Sequence, residues 1–299
     1  MGIVEEKNKS VIVTGARSQI GYYLLPRLID SGYKVFAITR AQADERFLKS
    51  PSLTWVRLDI GKNGFNGFGS GDAVNYIHIA PLPLLPALVE SLHRLGVTRI
   101  IAFGSTSRYS KINSSSNRER AYAKALASSE EELAKKHHQL GVDWTIFRPT
   151  LIYGCGMDKN ITTIANTIRK YGMFPVVGEG KGKRQPVHAD DLAMACVRSI
   201  NHPSTYNRAY NLSGGETLTY GEMVNRIFDG LCKKRRRIKI PLPLFRAALK
   251  VISFLPKYNY VTEEMADRIN DDLCFDHSDA TNDFGFSPRG FSFDKEFIK

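Results

Sequence analysis

Residues 11–40, VIVTGARSQIGYYLLPRLIDSGYKVFAITR, read in order as a strand, a tight glycine turn, a helix and a second strand. VIVTG is a short β-branched run stopped by glycine, whereas LLPRLIDSG is helix-patterned and ends in a glycine suited to a left-handed C′ position. Between them, TGARSQIG sets Gly15 and Gly21 at the outer positions of a GxxGxxG turn and puts Ser18 at the middle one. The first glycine of such a turn permits the bend, the middle one lets backbone approach a pyrophosphate, and the last lets helix pack on strand. Serine is the mildest departure at the middle position, because it is small and its hydroxyl can donate to a phosphate at a helix N-terminus. The segment is therefore expected to hold a dinucleotide through Gly15, Arg17, Ser18, Gln19, Ile20 and Gly21.

Outward from this segment the same alternation continues. Further strand-like runs are LTWVRLDI (53–60), VNYIHIA (74–80), RIIAFGST (99–106) and WTIFRP (144–149), with helical stretches such as LPALVESLHRLG and SSEEELAKKHHQLG between them. Runs of this kind suit parallel strands buried on both faces, so the expected fold is a doubly wound α/β sheet. Past residue 150 the alternation gives way to pieces bounded by Gly and Pro, which predicts a smaller α/β lobe. The division expected is a nucleotide-binding domain over 1–150, with sheet and helix contributions returning from about 185–215, and a substrate lobe over 151–299.

The end of the second strand bears on the choice of cofactor. An acidic residue there would hold the ribose hydroxyls of NAD, but the chain offers Thr39 and Arg40. A guanidinium clamps a 2′-phosphate that a carboxylate would repel, so NADP is expected in preference to NAD. Asp59 and Ile60 at the end of the third strand, and Ala80 at the end of the fourth, are further candidates on the cofactor side.

Bulk properties narrow the classes. The 299 residues carry 42 Lys+Arg against 30 Asp+Glu, a formal charge of +12 that favours anionic partners. The N-terminus lacks the apolar segment of a secretory signal, and the apolar runs are too short for a membrane span, so a cytoplasmic location is expected. The four cysteines are scattered singly and predict neither disulfides nor a metal site. KKRRR at 233–237 lacks interleaved aromatics and reads as a solvated connector rather than a nucleic-acid patch. Together with PLFRAALKVISFLPK (243–257), a basic amphipathic helix, it allows at most a peripheral membrane contact. His137 and His138 are adjacent, so they cannot share a metal at helical spacing.

Taken in order, TGARSQIG, RLDI, YIHIAP, FGSTSRYS, FRPTLIYGCG, RQPVHADDLAMA, YNLSGGETLTYGEM and FDHSDATNDFGFSPRGF resemble the extended short-chain dehydrogenase/reductase family, in its nucleotide-sugar epimerase/dehydratase group. The likeness runs nearly end to end. It implies a Rossmann domain holding NAD(P), a C-terminal lobe closing over a nucleotide-linked substrate, and a homodimer.

The resemblance also implies a hydroxyl residue, a tyrosine and a lysine four residues after it, which together move a proton as hydride passes to or from nicotinamide. Ser105 occupies the hydroxyl position, with Thr106 beside it, and Tyr122 occupies the tyrosine position. Leu126 stands where the lysine is expected; Lys124 is two residues from Tyr122, on a different helical face. Tyr109, two residues before Lys111, is a second tyrosine candidate. The family pattern further implies Pro149, Thr150 and Tyr153 at the nicotinamide end, Asn160 in a substrate loop, Arg184 reaching nucleotide phosphates, and a structural role for His188 and Asp191. Three functions follow as expectations: reduction or epimerisation of a nucleotide-activated sugar, a cofactor-binding sensor or scaffold without turnover, and reduction of some other carbonyl compound.

Overall fold

The computed structural model describes residues 9–42, 47, 49–69, 74–253 and 270–294. Residues 254–257, the end of the basic amphipathic segment, lie outside these. The first half runs β1 (Ser10–Thr14), α1 (Gln19–Asp30), β2 (Lys34–Thr39), β3 (Leu53–Arg57), α2 (Ile60–Asn63), β4 (Asn75–His78), α3 (Val89–Arg94), β5 (Arg99–Phe103), α4 (Ser107–Ser110), α5 (Asn117–Leu140) and β6 (Asp143–Pro149). The second half runs β7 (Ile152–Tyr153), α6 (Ile161–Tyr171), β8 (Phe174–Val177), β9 (Lys183–Arg184), β10 (Val187–His188), α7 (Ala189–Ser199), β11 (Arg208–Leu212), β12 (Leu218–Thr219), α8 (Tyr220–Gly230), β13 (Arg237–Ile240), α9 (Leu242–Ser253) and α10 (Ser278–Phe284).

Seven strands form one sheet in the order β11-β6-β5-β4-β1-β2-β3. All of its pairings are parallel. The chain is therefore an α/β protein of the doubly wound type, and the order reverses between β1 and β4, where a ligand crevice opens beyond the strand ends. Strand alternation supplies both faces. Val11, Val13, Val35, Ala37 and Ile77 pack with Leu24, Leu25 and Leu28 of α1 and with α7. Ile12, Ile38, Tyr76, Ile100 and Ala102 pack against α3 and α5 on the other side. Each fully buried leucine or isoleucine contributes about 1.5–3 kcal/mol.

A third apolar cluster, including Ile164, Ile168, Val176, Val224, Ile227 and Phe228, joins α6, β8 and α8. Between α6 and α8 the chain goes back to the large sheet, where α7 packs on α1 and β11 adds the seventh strand. His188 marks that return. Its Nδ1 accepts the Asp190 N–H at 3.1 Å and caps α7, while its ring lies between Tyr23 and Tyr153, with centroids 5.2 and 5.0 Å away. Arg27 of α1 and Arg289 near the C-terminus then converge on Asp190, and Arg289 also holds Asp191. The RQPVHADD segment thus fastens three separate parts of the chain.

Candidate active site

The turn after β1 is shaped by close backbone approach. Gly15 adopts φ +70°, and a Cβ there would lie 2.6 Å from the Ala80 nitrogen, so the turn is pressed against the end of β4. A Cβ on Gly21 would overlap the Ala16 carbonyl oxygen, so α1 can leave the turn only from glycine. Ser18 is the N-cap of α1, its Oγ accepting the Gly21 N–H at 3.2 Å. The middle position has therefore become a helix cap whose hydroxyl proton is still available to an anion. Ile20 is buried beneath the turn.

Under the switch point, Thr14 Oγ1 lies 2.9 Å from both the Tyr76 hydroxyl and His78 Nδ1, and these two are 2.8 Å apart. Burial holds the His78 imidazole down at about 4, so it is neutral. This triangle fixes β1 against β4 directly below the glycine turn.

Along the C-terminal edge of the sheet opens a cavity of about 870 Å³. One wall comes from the sheet side, with Gln19, Ser105, Thr106 and Thr150, and the other from Asn160, Arg184, Tyr220, Phe245 and Phe275. Gln19 Oε1 is buried in this wall with no hydrogen-bond partner among the described residues. An orphaned buried amide oxygen costs roughly 1–3 kcal/mol unless a ligand or water meets it. This oxygen and the glycine-shaped turn fit a dinucleotide lying from turn to cavity.

The hydroxyls after β5 divide their tasks. Ser105 Oγ accepts the Ser107 N–H at 3.1 Å and keeps its own proton free to donate. Thr106, in contrast, is buried and donates its hydroxyl to the Pro149 carbonyl at 3.2 Å. Ser105 is thus the one of the two equipped to orient a carbonyl oxygen.

The lysine column of α5 is occupied by core. Ala123, Leu126, Glu130 and Leu133 form the buried face of the helix, and Leu126 is packed beneath the sheet. Tyr122 is 43% exposed and is not among the cavity residues, and Lys124 is exposed. Burial of part of the Tyr122 phenol raises its pKa, the opposite of what a base at neutral pH requires. Of the two lysines that line the cavity, Lys159 precedes α6, and the one near Ser105 in the chain is Lys111, directly after α4. Its Nζ lies 3.3 Å from Glu119 and 5.9 Å from the Tyr122 ring. Sequence reasoning placed the lysine by its spacing from Tyr122; the signal that would have found Lys111 is its own position, six residues after Ser105 in STSRYSK.

Tyr109, the other tyrosine candidate, accepts from Arg148 at 2.7 Å and stacks on Phe275 at 6.0 Å. Arg148 and Arg108 both hold the buried Glu130. These residues brace the cavity wall from behind.

The remaining expected residues sit as follows. Arg17 is half-buried at the turn, Arg40 is exposed just past β2, and Asp59 caps α2 through the Gly61 N–H at 3.1 Å. Ile60 is buried and Ala80 half-buried. Tyr153 is buried against Phe291 and His188, with its phenol pushed up to about 12 by burial, and it is not among the cavity residues. Arg184 lies against Tyr220 at 6.0 Å and donates to the carbonyls of Lys183 and Asp271. Burial lowers its pKa.

A parallel sheet with this order, a glycine turn at its switch point and a cavity beyond it are the architecture of the dinucleotide-binding doubly wound fold. The family model for the NAD dependent epimerase/dehydratase family matches residues 11–81 and 82–213, more than half of the chain, and the chain belongs to that family. UDP-glucose 4-epimerase of Vibrio cholerae is 23% identical over 167 residues, 56% of this chain and 48% of that protein. The NADH dehydrogenase [ubiquinone] 1 alpha subcomplex subunit 9 of Arabidopsis thaliana is 31% identical over 104 residues, 34% of this chain and 26% of the relative. Over greater length, the mitochondrial NADH-ubiquinone oxidoreductase 40 kDa subunit of Neurospora crassa is 23% identical across 297 residues, 92% of this chain and 75% of that subunit. The chain spans from about a quarter to a half of the length of the first curated relatives it matches.

Among solved structures, the Thermotoga maritima UDP-glucose 4-epimerase with UDP-glucose superposes with a TM-score of 0.70 at 17% identity, covering 93% of both chains. The Bordetella bronchiseptica enzyme WbmH in complex with NAD+ gives a TM-score of 0.66 at 18% identity, covering 93% of this chain and 92% of the other. At such identities the likeness is one of fold.

Proposed function

We propose that the protein binds NAD(P) and a nucleotide-activated sugar and interconverts a carbonyl and an alcohol on that sugar, by reduction or by epimerisation through a keto form. The observation that carries this reading is the shared cavity. Ser105 and Gln19 face it from the dinucleotide side, and Arg184 and Tyr220 face it from the side expected to take the nucleotide.

The bound cofactor would supply or accept hydride. Ser105 donates a hydrogen bond from its free hydroxyl to the substrate carbonyl, keeping its proton, and orients it. Lys111 supplies the proton to the oxygen as the alcohol forms, and Glu119 holds its ammonium in place. The turn at 15–21 binds the pyrophosphate through its backbone amides and Ser18. Arg40, with no acidic residue at the end of β2, gives NADP the advantage over NAD.

The test is a panel of nucleotide-linked keto-sugars followed by absorbance of the reduced cofactor. NADPH should be consumed with at least one member. Lys111→Met should lower kcat by about 100-fold, the usual contribution of a general acid, and Tyr122→Phe should change it by less than about threefold. Arg40→Asp should move the preference from NADPH to NADH. If neither cofactor quenches or enhances protein fluorescence on titration, the proposal fails at its first step.

A second reading is a cofactor-binding protein without turnover. It is favoured by Leu126, buried where the family pattern expects lysine. Tight NADPH binding with no oxidation across the panel would select it.

A further inference from the structure

The strand β13 pairs only with β8 among the described residues, in parallel register, with Arg237 opposite Phe174, Ile238 opposite Pro175 and Lys239 opposite Val176. Register partners in a parallel pair point to the same side, and successive residues point to opposite sides. On the side bearing Phe174, Val176, Arg237 and Lys239, Val176 is packed inward while the two cations are exposed. Val176 is buried in the apolar cluster of α6 and α8, Arg237 lies against Gly221 of α8, and Lys239 pairs with Glu179 at 2.6 Å.

The other side turns outward at its start, with Pro175 exposed and Ile238 46% exposed, while Val177 farther along it is buried. Met173 and Arg236, immediately before the two strands, are both exposed. Tyr171 and Leu244, the ends of the two helices flanking the ribbon, are 59% and 62% exposed. Of the cations leading into β13, Arg235 is paired with Asp229, but Lys233, Lys234 and Arg236 have no carboxylate partner among the described residues.

We propose that this outward face of the β8–β13 ribbon docks on an anionic lipid surface. Apolar side chains standing singly in water need no explanation, but four of them beside three uncompensated cations match the chemistry of a bilayer interface. The apolar groups enter the boundary between headgroups and acyl chains, a tyrosine sits at headgroup level, and the cations meet lipid phosphates. A nucleic acid would neutralise the cations but leave Met173, Pro175, Ile238 and Leu244 in water. Pairing of a second copy along the free edge of β13 is opposed by Arg237 and Lys239, charges of the kind that blunt exposed edge strands. Docking would also seat α9 at the lipid boundary, and the same helix lines the cavity with Phe245 and Leu249.

The full chain is to be sedimented with vesicles of 30% phosphatidylserine in phosphatidylcholine and with vesicles of phosphatidylcholine alone, beside a gel-shift assay on a 30-nucleotide single strand. Each cation near an anionic surface strengthens binding by about fivefold, so the charge-reversed triple variant Lys233→Glu, Lys234→Glu, Arg236→Glu should lose at least about 100-fold in partition. The double variant Ile238→Ser, Leu244→Ser should lose about tenfold. NADPH titration of both variants should match the parent, which reports that they fold. Equal partition on the two vesicle types, absence from the phosphatidylserine pellet, or unaltered partition of the triple variant would each overturn the proposal. A nucleic-acid shift abolished by the triple variant, without vesicle binding, would overturn it in favour of the other partner.

Discussion

The hydroxyl of Ser18 accepts the Gly21 N–H and so satisfies one of the free amides at the start of α1. Ser18→Ala should therefore cost about 1 kcal/mol of stability in urea unfolding, whereas Ser18→Gly should cost only a few tenths. Equal losses would show that the cap contributes nothing. Two buried histidines set a pH dependence. His78 and His188 are both held down to about 4 by burial, from an ordinary value of 6.5. Between those values the unfolded chain binds protons that the folded chain refuses, so stability is intact above pH 6.5 and falls as pH drops towards 4. Each histidine accounts for about 3 kcal/mol across that window. His188→Asn keeps a cap acceptor for the Asp190 N–H and removes one titration, so the slope of unfolding free energy against pH between 4.5 and 6 should fall by about half. At this scale the glycines at 15 and 21 were legible because their task needs a missing side chain. Lys111 was not, because whether it meets the cavity depends on where a four-residue helix points.

Element by element, the sheet was legible because each central strand is buried on both faces and therefore reads as an unbroken apolar run. The observed bounds depart from the runs at 53–60, 74–80 and 99–106 by up to three residues at an end, where the chain turns polar or meets the crevice. The two-residue strands β7, β9, β10 and β12 carry no period at all, and only tertiary pairing creates them. Helix α5 explains the misleading lysine column: its buried stripe places Leu126 in line with Ala123, Glu130 and Leu133, so a lysine there would have to displace core. Helix α7 is anchored by a feature that the sequence hid. Arg99, at the start of β5, is buried and donates to the Ser199 carbonyl at 2.9 Å, to Ile200 at 3.2 Å and to Thr145 Oγ1 at 2.6 Å. Its charge faces the C-terminal carbonyls of α7, the favourable end of the helix dipole for a cation. Arg99→Met should lower stability by about 2 kcal/mol and shift the urea midpoint without changing its slope. NADPH affinity should stay within twofold, since Arg99 lies at the opposite end of the sheet from the glycine turn. A larger change in affinity would mean that α7 transmits strain to the site.

Across the whole molecule, the segment 270–294 stitches the sheet to the second cluster. The Phe275 N–H meets Gln185 Oε1 at 2.7 Å, the Phe275 carbonyl accepts from Ser213, and Asp283 takes the Tyr210 hydroxyl at 2.7 Å at the edge strand β11. Phe275 also lines the cavity, so this last stretch forms part of the site although it is most distant from the glycine turn in sequence. The crossing depends on two glycines after β11. A Cβ on Gly214 would overlap the Pro186 carbonyl, and one on Gly215 would overlap that of Pro288, so both neighbouring strands of chain approach backbone to backbone. The Gly215 N–H uses the space to donate to the Arg289 carbonyl at 3.0 Å, in the residue that clamps Asp190 and Asp191. The partners of the SGG in YNLSGGETL are far off in sequence, Pro186 upstream of Gly214 and Pro288 more than seventy residues after Gly215. Gly215→Ala must push two backbone segments apart, at a cost of about 2–3 kcal/mol. Gly69→Ala is the control, because a Cβ there meets nothing within 4 Å, and it should change stability by less than about 0.5 kcal/mol. Urea unfolding of the two variants side by side separates a steric strut from a general sensitivity to losing glycine: equal effects would dissolve the strut, and a loss confined to Gly215→Ala would place the cohesion of the two clusters at that crossing.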